Sequence, residues 1–326
     1  MSERNSLYEL IRDAVGENGR LPEWFSLPEG EKKENNGVSF SDGARDGIAL
    51  YHMGLREENI EGLKEVLKLV NEDKAGEAYL RLKEFFSDDN NRMLFMVDPL
   101  HDYLFQNHED FSAERVYAFA TALMRSSDNA ECIKFGLTLF EMINVDDGTA
   151  YDVIRTLALC DEFTMFCAFS MRQWPDANNE LLAAARKVNG WGRVHTVRYL
   201  APLTEEARVW MLREGCRNTI MPAYSALEIA MKCDPLQYLQ RPTCTKEEYE
   251  DIRFLFLALL DEGAVPGISL LPEGPDMLKS LLELALNMDG GAKDLVLADS
   301  IEAYIKDKDM PEVQQLLAEL RAARAA

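Results

Sequence analysis

Residues 114–142 read ERVYAFATALMRSSDNAECIKFGLTLFEM, and this stretch decides the predicted fold. Two apolar runs recur at positions i, i+3, i+4 and i+7, which is the spacing of one helix face. Their members are Val116, Phe119, Ala120 and Leu123 in the first run and Ile133, Gly136, Leu137 and Phe140 in the second. Because only a short polar join separates the runs, the stretch predicts two amphipathic helices packed as an antiparallel pair.

The same helical spacing continues through most of the chain, and the alternation typical of β-strands is scarce. Capping-box pairs predict helix starts at Ser6 with Glu9, at Thr245 with Glu248 and, in an acidic variant, at Asp128 with Glu131. On the order of sixteen short helices with short joins predict an all-α fold. We expect an α-α superhelix of the HEAT/ARM type, in which helix pairs stack side by side.

The composition along the chain suggests three regions. Residues 1–41 combine an N-terminal helix with a Pro/Gly/charged linker, which Trp24 is expected to dock onto the body. Residues 42–262 are predicted to form the helical repeat array. Residues 263–326 begin with an apolar loop and are predicted to form a C-terminal helical cap, or a continuation of the array.

The bulk composition restricts the classes of function. The chain has 326 residues, of which 47% are hydrophobic, so a large core is expected. Its net charge of −22 disfavours contact with nucleic acid and with anionic membranes. The six cysteines form no C-x-x-C pair, and neither a signal peptide nor a membrane span is evident. We therefore expect a cytoplasmic protein with reduced thiols and no cofactor.

One local departure from the acidic composition is a candidate binding site. Seven basic and three acidic residues lie between Arg186 and Arg217, a local excess of four positive charges. The candidate residues of this Arg-rich strip are Trp191, Arg193, His195, Arg198, Tyr199, Arg208, Arg213, Arg217 and Asn218. Two interpretations stay open. The arginines pair with acidic residues of adjacent helices, or several of them line a concave face and bind a carboxylate, a phosphate or an acidic peptide.

Residues 197–215, VRYLAPLTEEARVWMLREG, resemble a HEAT-type helical repeat in their Val-Arg pair, small residue and second amphipathic helix. The resemblance covers about one repeat and implies a scaffold that binds partners along a groove. The whole chain also resembles a group of uncharacterised bacterial proteins, some of which are described as hydroxylases of small terpenes. That second resemblance implies a pocket for a small apolar substrate, although the residues themselves offer no chemistry for it.

Catalytic motifs are sparse. The stretch at residues 98–110, DPLHDYLFQNHED, places four weak metal-ligand candidates near one face: Asp98, His101, Asp102 and His108. The spacing of Asp98 and His101 matches half of a di-iron motif, but no second copy is present. Nucleophile-elbow, phosphate-loop and full dinucleotide patterns are absent as well, so no catalytic residue is assigned.

These observations favour a non-catalytic helical-repeat scaffold that binds a protein partner, or an acidic or carboxylate-bearing peptide, through the Arg-rich strip. An enzyme with a pocket between helices is the first alternative, acting as a hydrolase or hydroxylase on a small apolar substrate. Stoichiometric iron or zinc would support it. A HEAT-like nucleic-acid-binding protein is the second alternative, and the net charge of the chain disfavours it.

Overall fold

The computed structural model describes residues 6–28, 40–54, 58–143, 145–288 and 290–325. These residues form α-helices with short 3₁₀ and π-helical turns and no β-strand, which confirms the all-α prediction. No helix among them is long and apolar enough to cross a bilayer. The packing divides the chain into unit 1, Met1–Tyr199, and unit 2, Leu200–Ala326. The boundaries predicted after residues 41 and 262 stay predictions, and residues 1–5 and 29–39 of the first region lie outside the described residues.

The described part of unit 1 contains eleven α-helices. In chain order they are α1 (Leu7–Ala14), α2 (Ala44–Ile48), α3 (Glu61–Asn71), α4 (Ala75–Phe85), α5 (Val97–Gln106), α6 (Ala113–Ser126), α7 (Ala130–Ile143), α8 (Gly148–Leu157), α9 (Asp161–Met171), α10 (Ala177–Ala185) and α11 (Trp191–Tyr199). A π-helical turn, Ala49–Met53, continues α2. A 3₁₀ turn, Met93–Phe95, precedes α5.

The stretch that predicted the fold forms helices α6 and α7, which pack closely along each other. Gly136 lies midway along α7, and a Cβ added there would be 2.9 Å from the carbonyl oxygen of Ala120 and 3.0 Å from Leu123 Cβ. Ala120 and Leu123 precede the join between α6 and α7 by about as many residues as Gly136 follows it. The contacts are therefore those of an antiparallel hairpin, in which glycine allows the two helix axes to approach closely.

The packing of this hairpin continues into the second half of unit 1. Helices α7, α9 and α11 pack against one another in series, and we call them the α7–α9–α11 layer. Helix α6 contacts this layer at α7, α8 contacts it at α9, and α10 contacts it at α9 and α11. Most of α7 and α9 is buried, because each lies between neighbours on several sides.

Two of the three predicted capping boxes form, and the third does not. The capping boxes predicted at Ser6 and Thr245 are both confirmed. The box predicted from Asp128 and Glu131 is wrong, because Asn129 accepts a 3.0 Å hydrogen bond from an amide in the first turn of α7. Asp128 binds Lys83 instead, which leaves Glu131 free to face the interior of the unit.

The N-terminal region docks through its helix and not through its tryptophan. Leu7 and Ile11 of α1 are buried, and the Leu7 amide donates to the carbonyl of Ser127 at 3.0 Å. Trp24 is 81% exposed, so the docking role expected for it is wrong. The apolar periodicity of a short helix thus predicted burial better than the presence of one large aromatic residue did.

The described part of unit 2 contains seven α-helices. They are α12 (Glu205–Trp210), α13 (Ala223–Cys233), α14 (Pro235–Leu239), α15 (Lys246–Leu260), α16 (Gly274–Asn287), α17 (Ala292–Ile305) and α18 (Pro311–Ala325). A π-helical turn, Met211–Gly215, continues α12 and packs on α13 and α15. Helix α18 packs on both α16 and α17.

A buried carboxylate joins three helices of unit 2. Asp294 on α17 is fully buried, and it accepts hydrogen bonds from Tyr249 Oη at 2.5 Å and Arg253 Nη1 at 3.0 Å, both on α15. Arg324 Nε on α18 donates to its other oxygen at 2.9 Å. We call these four residues the aspartate clasp. The clasp attaches the last helix of the chain to the body of unit 2.

Candidate functional site

Lys134 on α7 lies in the interior of unit 1, and its ammonium is surrounded by carboxylates. Nζ donates to Asp46 Oδ2 at 2.7 Å. It also donates to Glu131 Oε1 at 2.8 Å and to Glu162 Oε1 at 2.6 Å. Arg92 binds the second oxygen of Asp46. We call these five residues the lysine cage, and within it the lysine side chain is only 1% exposed.

The charges of the lysine cage fix its protonation. Burial lowers the pKa of Lys134, but the three carboxylates outweigh burial and raise this pKa well above its ordinary value. Burial raises the pKa of Asp46, and Lys134 and Arg92 together lower it further than burial raises it. Burial also raises the pKa of Glu131. A lysine that stays protonated is a hydrogen-bond donor and a fixed charge, not a base or a nucleophile.

Residues 42–54, which we call segment 42–54, cover the cage and contact the α7–α9–α11 layer through polar groups. Asp46 is the residue of this segment that binds Lys134 on α7. The amide of Gly43 donates to Glu162 Oε2 on α9 at 2.7 Å. Asp46 of the segment thus binds a lysine of the layer, and Glu162 of the layer binds the amide just before α2.

The same segment contacts α11 through close packing. A Cβ added to Gly47 would lie 2.2 Å from the Trp191 ring, so only glycine fits under this indole. The Tyr51 ring lies 6.0 Å from the Trp191 ring, centroid to centroid. The guanidinium of Arg198 lies 5.8 Å from the centroid of Tyr51. Segment 42–54 therefore contacts all three helices of the layer.

The glycines on either side of Trp191 are explained by a buried carboxyl group on α9. Asp161 accepts hydrogen bonds from the amides of Trp191 and Gly192 at the start of α11. A Cβ on Gly190 would lie 2.0 Å from Asp161 Oδ2, and one on Gly192 would lie 2.6 Å from Oδ1. Burial raises the pKa of Asp161 to about 7, despite these two hydrogen bonds. The sequence GWG thus forms the start of α11, where the two glycines leave room for the carboxyl group of Asp161.

The members of the Arg-rich strip that belong to unit 1 are largely internal. Trp191, Arg193 and His195 are buried, and Arg193 Nε donates to a backbone carbonyl at 2.9 Å. His195 stacks on Trp191, and neither of its ring nitrogens has a hydrogen-bond partner among the described residues. Burial lowers the pKa of His195 to about 4, so the ring is neutral at physiological pH. Tyr199 is half-buried against an aromatic ring of α9, and Arg198 is exposed.

The members of the strip that belong to unit 2 bind groups of their own unit. Arg213 Nε and Arg217 Nη2 each donate to Asp251 at 2.7 Å, one to each carboxylate oxygen. Arg208 pairs with a glutamate three residues earlier in α12. Asn218 accepts two backbone amides of the turn that follows it. The strip is divided between the two units, and Asp251 is its main acidic partner in unit 2.

The four weak metal candidates lie in α5 and the 3₁₀ turn that follows it, and a fifth residue faces one of them. Asp98, Asp102 and His108 are exposed, and His108 Nδ1 lies 3.0 Å from a backbone carbonyl of the same turn. His101 is partly buried and faces Glu141 on α7, with 3.7 Å between Nε2 and Oε2. The sequence did not indicate Glu141, because it is separated from His101 by a complete helix.

The cage carboxylates have the spacing of metal ligands. One oxygen each from Asp46, Glu131 and Glu162 lies within 4.8 Å of the others. Lys134 Nζ occupies the centre of this set, where a metal ion would have to bind, and it makes hydrogen bonds of 2.6–2.8 Å to all three. The ammonium therefore supplies the cation that this arrangement requires.

Unit 2 contains a surface cleft of about 540 Å³, formed by the join between α14 and α15 and by α16. Neutral polar and apolar side chains line most of it. Its lining residues include Gln240, Arg241, Thr243, Ser280, Glu283, Leu284 and Met288. Arg241 packs on the Tyr238 ring and binds Glu248 at 3.3 Å. A cleft of this volume can accommodate a small ligand, with one cation and one carboxylate on different walls.

The lysine cage was missed at the level of sequence, although one signal was present. Lys134 lies in the run CIKFGLTLF, where it is the only charged residue among apolar and small neighbours. A charge in such a run is expected to be buried and paired. Its partners Asp46 and Glu162 are 88 and 28 residues away, so their identity depends on the tertiary fold.

Comparisons of the chain with protein-family models, with curated proteins and with solved structures found no match. The HEAT-type resemblance of residues 197–215 therefore rests on the sequence pattern and the helical architecture. In the structure these residues comprise the end of α11, the turn that follows it, α12 and its π-helical turn.

Proposed function

We propose that the chain is a non-catalytic binding protein built as a HEAT-like stack of helical hairpins, and that its α7–α9–α11 layer recognises an acidic peptide segment of a protein partner. The serial packing of α7, α9 and α11, each of which also contacts α6, α8 or α10, supports the stack. In helical solenoids such an inner layer carries the binding surface.

One observation carries this proposal: the layer already binds, through an aspartate, a one-turn helix that belongs to the same chain. Helix α2 is inserted through Asp46, which binds Lys134 and Arg92. A peptide from a partner that presents an Asp or Glu side chain in the same way would meet the same two cations. Because Glu131 and Glu162 also hold Lys134, and Arg92 lies over the Phe95 ring, little side-chain entropy is lost when the carboxylate binds.

The proposal places the anionic recognition at Lys134 and Arg92 instead of at the Arg-rich strip. Arg213 and Arg217 already bind Asp251, and Arg193 is buried. Trp191 keeps the role expected of it as a stacking surface, since it covers Gly47 of the bound helix.

Segment 42–54 then acts as an occupant of the groove in the same molecule. It runs between Gly43 and Gly54, which both have positive φ values, 75° and 74°. A partner would compete with this segment for the layer, so the affinity that is measured would be lower than the intrinsic affinity of the open groove.

The test displaces the chain's own segment and offers the same residues as a separate peptide. In the double variant Asp46→Lys, Gly47→Leu, the leucine side chain cannot fit under Trp191, and the lysine is repelled by Lys134 and Arg92. We expect this variant to bind a fluorescein-labelled peptide of residues 40–54, measured by fluorescence anisotropy. The wild-type chain should bind the peptide at least tenfold more weakly, because its groove is filled.

Two controls make the result specific. A peptide with Asn in place of Asp46 should lose most of its affinity, because it lacks the charge that meets Lys134 and Arg92. The variant Gly76→Leu, at an exposed glycine of α4 with no atom within 4 Å of its added Cβ, should behave like the wild type. A double variant that is helical by circular dichroism, yet fails to bind the peptide at about 1 mM, would contradict the proposal.

A further inference from the structure

A single indole contacts segment 42–54 at three positions that are four residues apart. A Cβ added to Gly43 would lie 3.1 Å from Trp191 Cβ, and one added to Gly47 would lie 2.2 Å from the Trp191 ring. The ring of Tyr51 lies 6.0 Å from the same indole, with an angle of 38° between the two ring planes. Residues at this spacing share one helix face, so one face of the segment lies along Trp191.

The two glycines leave no room for a side chain on this face. Gly43 has a φ of 75°, which favours glycine, and a Cβ there would also lie 2.6 Å from the carbonyl oxygen of Asp161. A Cβ on Gly47 would lie within 2.4 Å of three carbons of the indole. The first obstacle is backbone and the second is a buried ring, so a larger residue would have to move the segment away from the layer.

The indole itself is held by other parts of unit 1. The amide of Trp191 donates to Asp161, and the ring of His195 stacks on the indole with 5.9 Å between centroids. The Trp191 side chain is buried, so its position is set before any peptide binds. A ring fixed in this way distinguishes glycine from larger residues, because it cannot give way at low cost.

We propose that the acidic peptide recognised by the layer carries a defined pattern, which we call the two-glycine motif. It consists of a glycine, an acidic residue three positions later, a second glycine directly after that, and an aromatic residue four positions further on. This inference rests on the proposed function and names the sequence class of the partner. The acidic residue binds Lys134 and Arg92 as Asp46 does, and the other three residues lie along Trp191.

Two further contacts fit the same motif. The amide of the first glycine, Gly43, donates to Glu162 Oε2 at 2.7 Å. The aromatic residue, Tyr51, lies between the indole and the guanidinium of Arg198, which is 5.8 Å from its centroid. In this chain the two-glycine motif occurs once, at residues 43–51, so no other segment of the chain can fill the groove in the same way.

The test measures how substituted peptides of residues 40–54 bind the full-chain double variant Asp46→Lys, Gly47→Leu, by fluorescence anisotropy. We expect the Gly43→Ala and Gly47→Ala peptides to bind at least tenfold more weakly than the parent peptide, because the added methyl group meets the layer. The Tyr51→Ala peptide should bind about threefold to tenfold more weakly, since it loses one aromatic contact and one cation–π contact.

The Met53→Ala peptide is the matched control, because Met53 is 71% exposed at the end of the same segment. It should bind like the parent peptide. Alanine favours a helix more than glycine does, so a loss of affinity in the Gly47→Ala peptide cannot come from weaker helix formation.

The outcomes separate the two-glycine motif from the proposed function. A parent peptide that binds no better than its Gly43→Ala and Gly47→Ala forms would overturn the motif and leave the proposed function standing. Failure of the parent peptide to bind would overturn both. Hydrogen exchange in the full chain tests the motif without the double variant. Gly47→Ala should speed exchange in segment 42–54 at least tenfold while Met53→Ala leaves it unchanged, and unchanged exchange in Gly47→Ala would overturn the motif.

Discussion

The lysine cage of unit 1 and the aspartate clasp of unit 2 have opposite charge arrangements. In unit 1 one ammonium lies among three carboxylates, with Arg92 on the far side of Asp46. In unit 2 one carboxylate, Asp294, binds two guanidiniums and a tyrosine hydroxyl. With the carboxylates, lysine and arginines ionised and Tyr249 neutral, the cage carries an excess of one negative charge and the clasp an excess of one positive charge.

The difference shows how each unit accommodates its excess charge. In the cage, burial raises the pKa of Glu131, so its protonation can remove the excess negative charge. In the clasp, 13% of the Arg324 side chain is exposed, so water screens the excess positive charge. The cage therefore depends more strongly on its complete set of partners, because its central ammonium has no contact with solvent.

The largest effect is expected for Lys134→Met. This change leaves three carboxylates buried without their common cation and should lower the free energy of unfolding by about 3–5 kcal/mol. Urea unfolding measures the loss, and hydrogen exchange should locate it in α7 and α9 of unit 1. Lys64→Met removes an exposed ion pair and should change little. Equal stability of Lys134→Met and wild type would show that the cage is not the stronger cluster.

A smaller loss is expected for Asp294→Asn, about 2–3 kcal/mol. Asparagine keeps the shape of the side chain but leaves Arg253, which is 4% exposed, without a buried counter-charge. Arg324 keeps its hydrogen bonds to the carbonyls of Ala285 and Met288, so only one of the two guanidiniums is stranded. Hydrogen exchange should increase in α17 and α18 while α7 stays protected. A loss larger than that of Lys134→Met would reverse the ranking of the two clusters.

The smallest expected effect is the loss, at acid pH, of the stability that Asp294 contributes. Burial raises the pKa of Asp294, but its hydrogen bonds to Tyr249, Arg324 and Arg253 lower it further, so the net pKa lies below the ordinary value. Its contribution to stability is therefore complete above the unfolded-state pKa of about 4 and is lost as the pH falls through the folded-state pKa. Asp294→Asn should unfold with a shallower dependence on pH below about 4.

The same experiment contrasts the cage with the clasp. The pKa of Glu131 is shifted in the opposite direction, because burial raises it. The contribution of Glu131 to stability is therefore complete below its unfolded-state pKa of about 4.3 and falls as the pH rises above that value. Glu131→Gln should therefore remove part of any decline in stability as the pH rises above about 4.3. Urea midpoints measured both below and above this pH report the two effects. Identical pH profiles for wild type, Asp294→Asn and Glu131→Gln would contradict the assignment of both shifts.

The sequence predicted those features that depend on near neighbours. The capping box of Ser6 and that of Thr245 need only residues three positions apart, and both form. Asp128 and Glu131 matched the same pattern and did not form a box, because Lys83 and Lys134 compete for these carboxylates. A local motif thus failed where Lys83, 45 residues away, and Lys134, three residues away, bind the same carboxylates.

The sequence singled out Trp191 and His195 as binding residues, which stays a prediction, and both lie beside segment 42–54 and the cage. Two interpretations were open for the arginines of the strip. Arg213 and Arg217 follow the first of them, internal pairing, since they share Asp251, which lies 38 and 34 residues further along the chain. A sequence pattern gives the number of charges in a region but not the partners that neutralise them.

By itself the sequence determined that this chain is helical, since an apolar period of 3.6 residues and the capping residues act within a few turns of one helix. Only the tertiary structure decided which charges are buried and what they bind. Asp46 reaches Lys134 across 88 residues, and Gly43 reaches Glu162 across 119. Such contacts arise because packing removes water from specific groups, and a buried charge is stable only beside the partners that the whole fold brings to it.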